Sequence, residues 1–330
     1  MGARGGVGTT ALERAIRSQP EELARLLHVP IHHAVEGLHR ARRIWLVGTG
    51  SSQHAAELGA TMLNDAGRAA QAVPAMQFVD FAPVVGPQDG IVVITHTAET
   101  AFALAARALA FQAGLAVVSI TRRGTGLADA VETVDRDPAE TYTVSYTAAL
   151  LVLARIAGEM GAPTITEEAL ARIPEAVERA IGSPGTDAIP LPERLLVLAG
   201  AGPAAVTARE GALKLREGAR MLAEGYDVEY LLHGTAVPLG RTDRLVLLEP
   251  PVDPDGLLAA VGRAAQAEGI PVSRVEEPAD LPPVLAQIPL TVRLQMLALR
   301  AAAERGQDPD TVIVGAWADP ELWRLGAPRV

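Results

Sequence analysis

Along the chain, short unbroken apolar runs alternate with longer Ala-rich stretches, and Gly or Pro punctuates the joins. The runs Ile44 to Val47, Ile91 to Ile94, Ala116 to Ile120, Leu195 to Leu198, Leu245 to Leu248 and Ile270 to Ser273 do not alternate with polar positions. Continuity of this kind suits strands buried on both faces, as in a parallel sheet covered by helices on either side. The predicted class is therefore α/β. Ahead of the first run, Leu12, Ile16, Leu23 and Leu26 fall at helical spacing, so residues 1–40 read as a helical preface.

The pattern occurs twice. The run ending in Gly48-Thr49-Gly50 returns as the one ending in Gly200-Ala201-Gly202, 152 positions on, and each leads into a long Ala-rich helix. Ile91 to Ile94 matches Leu245 to Leu248, Gly114 matches Gly269, and helices near 145–161 and 290–306 close the two halves. Near-constant spacing over several elements points to a duplicated unit. The Pro- and Gly-rich stretch from Gly182 to Pro192 reads as a linker, giving one unit over 41–181 and a second over 194–330.

Composition narrows the chemistry. With 29 Lys and Arg against 39 Asp and Glu, the formal charge is −10, and no basic cluster exceeds Arg40-Ala41-Arg42-Arg43, so a nucleic-acid partner is not expected. No run approaches the roughly 18 apolar residues of a spanning helix, and the first 20 residues hold no apolar signal core. A cytoplasmic protein without a membrane anchor is expected. Cysteine is absent, which removes disulfides, thiolate metal sites and cysteine nucleophiles, and no metal or other cofactor is expected. The basic residues are 28 Arg and a single Lys, Lys214.

Three segments could carry chemistry. Gly48-Thr49-Gly50-Ser51-Ser52-Gln53 resembles a dinucleotide fingerprint but lacks its third Gly or Ala and the acid about 20 positions later. What remains is a Gly-rich turn with two hydroxyls at a helix start, suited to an anion, although Ser51 and Ser52 could equally be N-caps. Thr95-His96-Thr97-Ala98-Glu99-Thr100 follows the next strand and should lie on the same sheet edge, so the two loops together form a phosphate cradle of neutral donors. In Glu210-Gly-Ala-Leu-Lys214-Leu-Arg-Glu217, Lys214 and Glu217 share a helix face. A surface ion pair is the plain reading, but Arg would serve that role as well as the one Lys. His233, after an acidic Tyr-bearing segment, reads on its own as a core or capping histidine.

These residues resemble the sugar isomerase (SIS) domain family, and in particular the isomerase half of the glucosamine-6-phosphate synthases. The likeness runs through Gln19-Pro20, Gly48 to Ala56, Thr95 to Thr100, Glu140 to Ala149, Glu210 to Glu217, Ala223 to Tyr226, His233-Gly234 and Asp308-Pro309-Asp310. It implies two tandem SIS domains, each a flavodoxin-like parallel sheet with helices on both faces, and a homodimer. By position it implies that Ser51, Ser52, Thr95, His96, Thr97 and Thr100 surround a sugar phosphate, with Ser145 near the sugar. It implies Glu217 as the base moving a proton between C1 and C2, Lys214 as its partner, and His233 as the ring-opening residue, in place or from the other subunit.

The sequence departs from the resemblance at several points. His96 stands for the usual Gln and Ala98 for the usual Gly, and the Lys expected near the C-terminus is missing where Thr311 to Trp317 follows Asp310. No cysteine-bearing glutaminase half accompanies the likeness. Full synthase activity is therefore not expected. A phosphosugar isomerase, or a deaminase or deglycase of amino-sugar phosphates, is expected, with a non-catalytic sugar-phosphate sensor as the alternative.

Overall fold

The computed structural model describes residues 9–81, 84–249 and 255–327. The first eight residues of the expected preface lie outside them. The preface holds α1 (Ala11–Leu26) and α2 (His32–His39). The first half then runs β1 (Arg43–Gly48), α3 (Ser51–Asp65), β2 (Ala70–Pro74), α4 (Ala75–Asp80), β3 (Asp89–Ile94), α5 (Ala101–Gln112), β4 (Ala116–Thr121), β5 (Ala130–Glu132), α6 (Val144–Glu159), α7 (Glu167–Ala171) and α8 (Ile173–Gly182). The second half runs β6 (Leu196–Gly200), α9 (Pro203–Ala219), β7 (Ala223–Asp227), α10 (Val228–Tyr230), β8 (Arg244–Glu249), α11 (Leu257–Ala267), β9 (Val272–Glu276), α12 (Gln287–Glu304) and α13 (Pro320–Arg324).

Both sheets are wholly parallel. Their orders are β2-β1-β3-β4-β5 and β7-β6-β8-β9, so the second is the flavodoxin-like order of the first without its last strand. The fold is α/β with two such units in tandem. Each sheet is packed on both faces. Ile44 and Leu46 of β1 face a core shared with α1, α3 and α6, while Trp45 and Val47 face α4 and α5. Leu196 and Leu198 face α9 and α12, and Val197 and Ala199 face α11. That two-sided burial is why the strand runs are continuous rather than alternating.

The duplicated turn is built the same way twice. Gly50 (φ 57°, ψ −131°) and Gly202 (φ 54°, ψ −125°) precede α3 and α9 in a conformation open mainly to glycine. At Gly48 and Gly200 a Cβ would fall 2.5 Å from backbone atoms of Ser52 and Ala204, so strand and helix approach only because neither carries one.

The last strand differs from expectation. The run from Ile270 predicts a strand there, but β9 begins at Val272. Ile270 donates its N–H to Ala265 O at 2.9 Å, closing α11, and Pro271 has no N–H to give a ladder. Strands β2, β5 and β7 were not anticipated.

Distant segments meet at the preface. The Asp310 carboxylate accepts the N–H groups of Ala11 and Leu12 at 2.7 and 2.8 Å and so caps α1. Buried Gln19 bonds Gln295 of α12 at 2.8 Å and Thr147 of α6 at 2.6 Å. The Gln19-Pro20 and Asp308-Pro309-Asp310 motifs thus brace the frame around the site. Among the described residues no helix is long and apolar enough to cross a membrane.

Candidate functional site

A cavity of about 650 Å³ opens at the carboxyl edge of the first sheet, where strand order reverses between β1 and β3. Its floor is the turn Thr49–Ser52 and the loop His96–Thr100. Its walls come from the irregular segment before α6, the first turns of α6, Glu217 of α9, and the tail after Asp310.

Ser51 and Ser52 open α3, but Gly50 holds the N-cap position, so neither is a cap. Ser51 and Ser52 both line the cavity, and the Ser51 hydroxyl also donates to Glu210 Oε1 at 2.9 Å, across to the second half. In the second loop the Thr97 hydroxyl accepts the Glu99 N–H at 3.2 Å. Thr100 precedes α5 without a side-chain cap bond and also lines the cavity. Thr95 is buried just after β3, its hydroxyl without a hydrogen-bond partner among the described residues, and is not among the residues that line the cavity. Ala98 sits at φ 56°, the left-handed conformation that the resemblance fills with glycine.

His96 Nε2 accepts the backbone N–H of Asp137 at 3.0 Å, which puts the ring proton on Nδ1, a buried atom with no hydrogen-bond partner among the described residues. Burial, helped by the Arg122 and Arg136 guanidiniums, pushes the His96 pKa down to about 4. The ring is therefore a neutral donor near pH 7. Its edge-to-face neighbour is Tyr142, centroids 5.8 Å apart.

Asp137 also orders the other side of the loop. Its Oδ2 accepts the Thr143 N–H at 2.9 Å and the Ser145 hydroxyl at 3.1 Å, which holds Ser145 at the cavity wall. Burial pushes the Asp137 carboxyl above its ordinary value despite those bonds.

On α9, Glu210, Lys214 and Glu217 fall on one stripe. Lys214 is fully buried, with Nζ 2.6 Å from Glu217 Oε2 and 3.5 Å from Glu210 Oε1. Glu210, fully buried too, accepts from His54 Nδ1 at 2.7 Å. Burial alone would push Glu210 up, but the Lys214 ammonium and the His54 and Ser51 bonds outweigh it and hold the carboxyl down. For Glu217 burial wins over Lys214, and the carboxyl is raised. Burial would lower the Lys214 pKa, yet Glu217 and Glu210 reverse that, so the amine stays charged. Glu217 lines the cavity; Lys214 stands behind it.

His233 is elsewhere. It lies exposed in an irregular turn, Leu231–Thr235, broken at His233 and Gly234, and does not reach the cavity of its own chain. Glu210, His54, Asp137, Arg136 and Tyr142 were not assigned from sequence. A signal existed for Glu210 alone, four residues before Lys214 on the same stripe. Asp137 and Arg136 lie in a segment without periodicity, where nothing marks them. Among the described residues no group of three or more His, Asp or Glu could hold a metal ion.

The SIS domain model matches residues 37–157. The chain is 28% identical over 339 residues to the isomerizing glutamine–fructose-6-phosphate aminotransferase of Thermococcus kodakarensis, an alignment covering 90% of this chain and 56% of that protein. The chain thus spans little more than half the length of that relative. Its fold matches tagatose-6-phosphate ketose/aldose isomerase from Escherichia coli (TM-score 0.78, 20% identity, 96% of this chain and 99% of that one). It also matches glucosamine-6-phosphate deaminase from Thermotoga maritima (TM-score 0.73, 20% identity, 92% and 97%). Both share their fold with this chain, whose residues 37–157 are similar to the SIS domain family.

Proposed function

We propose that this chain is a phosphosugar isomerase, or a closely related amino-sugar-phosphate deaminase or deglycase, that moves a proton between C1 and C2 of a 6-phosphosugar. The observation that carries this reading is Glu217, a half-buried carboxylate that lines the cavity with its pKa raised by burial, the direction a general base needs. Glu217 takes the proton alpha to the open-chain carbonyl. The electron pair released forms the enediol C=C bond as the carbonyl oxygen gains a proton. Glu217 then returns the proton to the neighbouring carbon, the former carbonyl carbon, while the other enediol hydroxyl gives up its proton and becomes the new carbonyl. The proton gained on one oxygen is thus balanced by the proton lost from the other. The Lys214 ammonium holds the carboxylate in position. Because it stays charged and lies outside the cavity lining, it is unsuited to forming an imine with the sugar.

The phosphate lies at the start of α3 and α5, where free backbone N–H groups and the helix dipoles favour an anion, among the hydroxyls of Ser52, Thr97 and Thr100 and the neutral His96. Ser145 faces the sugar. Because His233 is remote within one chain, ring opening by that residue requires a homodimer in which it enters the partner's cavity.

The test is a panel of 6-phosphosugars, with and without a 2-amino group, assayed for binding and then for ketose or ammonia release. Glu217→Gln should cut turnover by roughly 10²–10⁴-fold while sugar-phosphate binding stays near that of the unaltered protein. Full activity in that variant removes the enolisation mechanism. The remoteness of His233 favours a second reading, a sugar-phosphate sensor, and binding without turnover anywhere in the panel would select it.

A further inference from the structure

The charge of the cavity poses a problem that the neutral hydroxyls do not solve. Three carboxylates, Glu99, Glu140 and Glu217, line it, and His96 is neutral near pH 7. A sugar phosphate brings further negative charge. Among the described residues lining the cavity, Arg136 is the only Arg or Lys. Its guanidinium faces Glu99 with two prongs, Nη1 to Oε1 at 3.1 Å and Nη2 to Oε2 at 3.4 Å. Both side chains are 57% exposed.

We propose that Arg136 is an anion-binding residue of this cavity, and that Glu99 is its resident counter-ion, displaced when the phosphate of a sugar phosphate enters. The inference rests on the phosphosugar reading and adds a charged partner to its neutral cradle. The fork that meets the Glu99 carboxylate is the geometry by which a guanidinium also meets phosphate. An exposed pair contributes little to stability, so it yields readily to a doubly charged ligand. The position is fixed at the backbone: the next residue, Asp137, gives its N–H to His96 inside the phosphate loop. Glu99 belongs to that loop, two residues before α5. Displacement of the carboxylate leaves the Arg136 guanidinium free for an anion in the cavity that Thr97 and Thr100 also line.

The two partners should therefore act with opposite sign, which a merely structural ion pair would not do. In titration calorimetry with fructose 6-phosphate, Arg136→Gln should weaken binding about ten- to a hundredfold. Glu99→Gln should tighten it about two- to fivefold. Relief of simple repulsion would also tighten binding, so the decisive measurement is the double variant. If Glu99 competes for Arg136, the gain from Glu99→Gln disappears in the Arg136→Gln background. A gain of the same size in both backgrounds, or unchanged affinity in Arg136→Gln, overturns the proposal. Thermal midpoints of all three variants should stay close to that of the unaltered protein, since the pair is exposed. If the unaltered protein binds neither fructose 6-phosphate nor inorganic phosphate, the phosphosugar reading itself fails and this inference with it.

Discussion

Glu210 and Glu217 share one helix stripe and one lysine, yet their acidities move in opposite directions. The difference is the hydrogen bonds. Glu210 receives His54 and Ser51 as well as Lys214, and these favour its charged form over the cost of burial. For Glu217 burial outweighs the Lys214 ion pair and the weaker pull of His54, and Glu210 repels it, so the carboxyl is raised. Sequence spacing identified Lys214 and Glu217 as neighbours but left the sign open, because the sign depends on α3, which lies more than 150 positions away. His96 carries a second consequence at this scale. Its pKa falls from 6.5 to about 4 on folding. Between those values the unfolded chain takes up a proton that the folded chain refuses, so stability is lost as pH drops through that window. Gln at this position can accept the same Asp137 N–H without titrating. His96→Gln should therefore flatten the acid side of a denaturation series, and the difference between the two proteins over pH 6.5 to 4 should be on the order of 3 kcal/mol. Parallel curves would mean that His96 is not held neutral.

At the scale of elements, legibility followed burial. β1, β3, β4, β6 and β8 are built around apolar, largely buried runs and are readable as such. β2 (Ala70–Pro74), β5 (Ala130–Glu132) and β7 (Ala223–Asp227) were not, because they are short edge or near-edge strands of small and polar residues. Each pairs in parallel with its neighbour through a crossover, so no hairpin turn announces them. The loop after β3 shows a local misfit of another kind. Ala98 adopts φ 56° where Ala is strained by roughly 1–2 kcal/mol, against the roughly 0.5–1 kcal/mol that glycine costs through greater freedom in the unfolded chain. Ala98→Gly should therefore stabilise the protein by about 0.5–1 kcal/mol, read from the denaturant midpoint at constant slope. A destabilised variant would show that the left-handed turn is not strained.

For the whole molecule, the two halves are bound into one working unit. α12 sends Ile288 and Val292 into the first core and Leu290, Leu294 and Leu297 into the second. Each such side chain contributes roughly 1.5–3 kcal/mol relative to exposure, so the halves cannot part cheaply. The cavity depends on that union: its loops come from the first half, Glu217 from the second, and its outer wall from Val312 and Ile313, whose N–H groups are pinned by Glu140 at 2.6 and 2.9 Å. The repeat was legible in sequence because spacing reveals duplication; the joining of the halves was not, because spacing says nothing about which faces meet. His233 lies exposed, away from the cavity of its own chain. Exposed Tyr230 and Leu232 flank it, and Val237 follows, an apolar setting suited to contact with a second copy. The proposed homodimer predicts complementation between two damaged chains. Glu217→Gln and His233→Ala should each be nearly inactive alone. Mixed in equal amounts under exchange, half of the dimers are hybrids, and each hybrid carries one site with Glu217 from one chain and His233 from the other. Activity should return to roughly a quarter of the intact level, as expected of a twofold assembly whose sites are shared. If the mixture stays inactive although exchange is demonstrated by mass, His233 does not act across subunits.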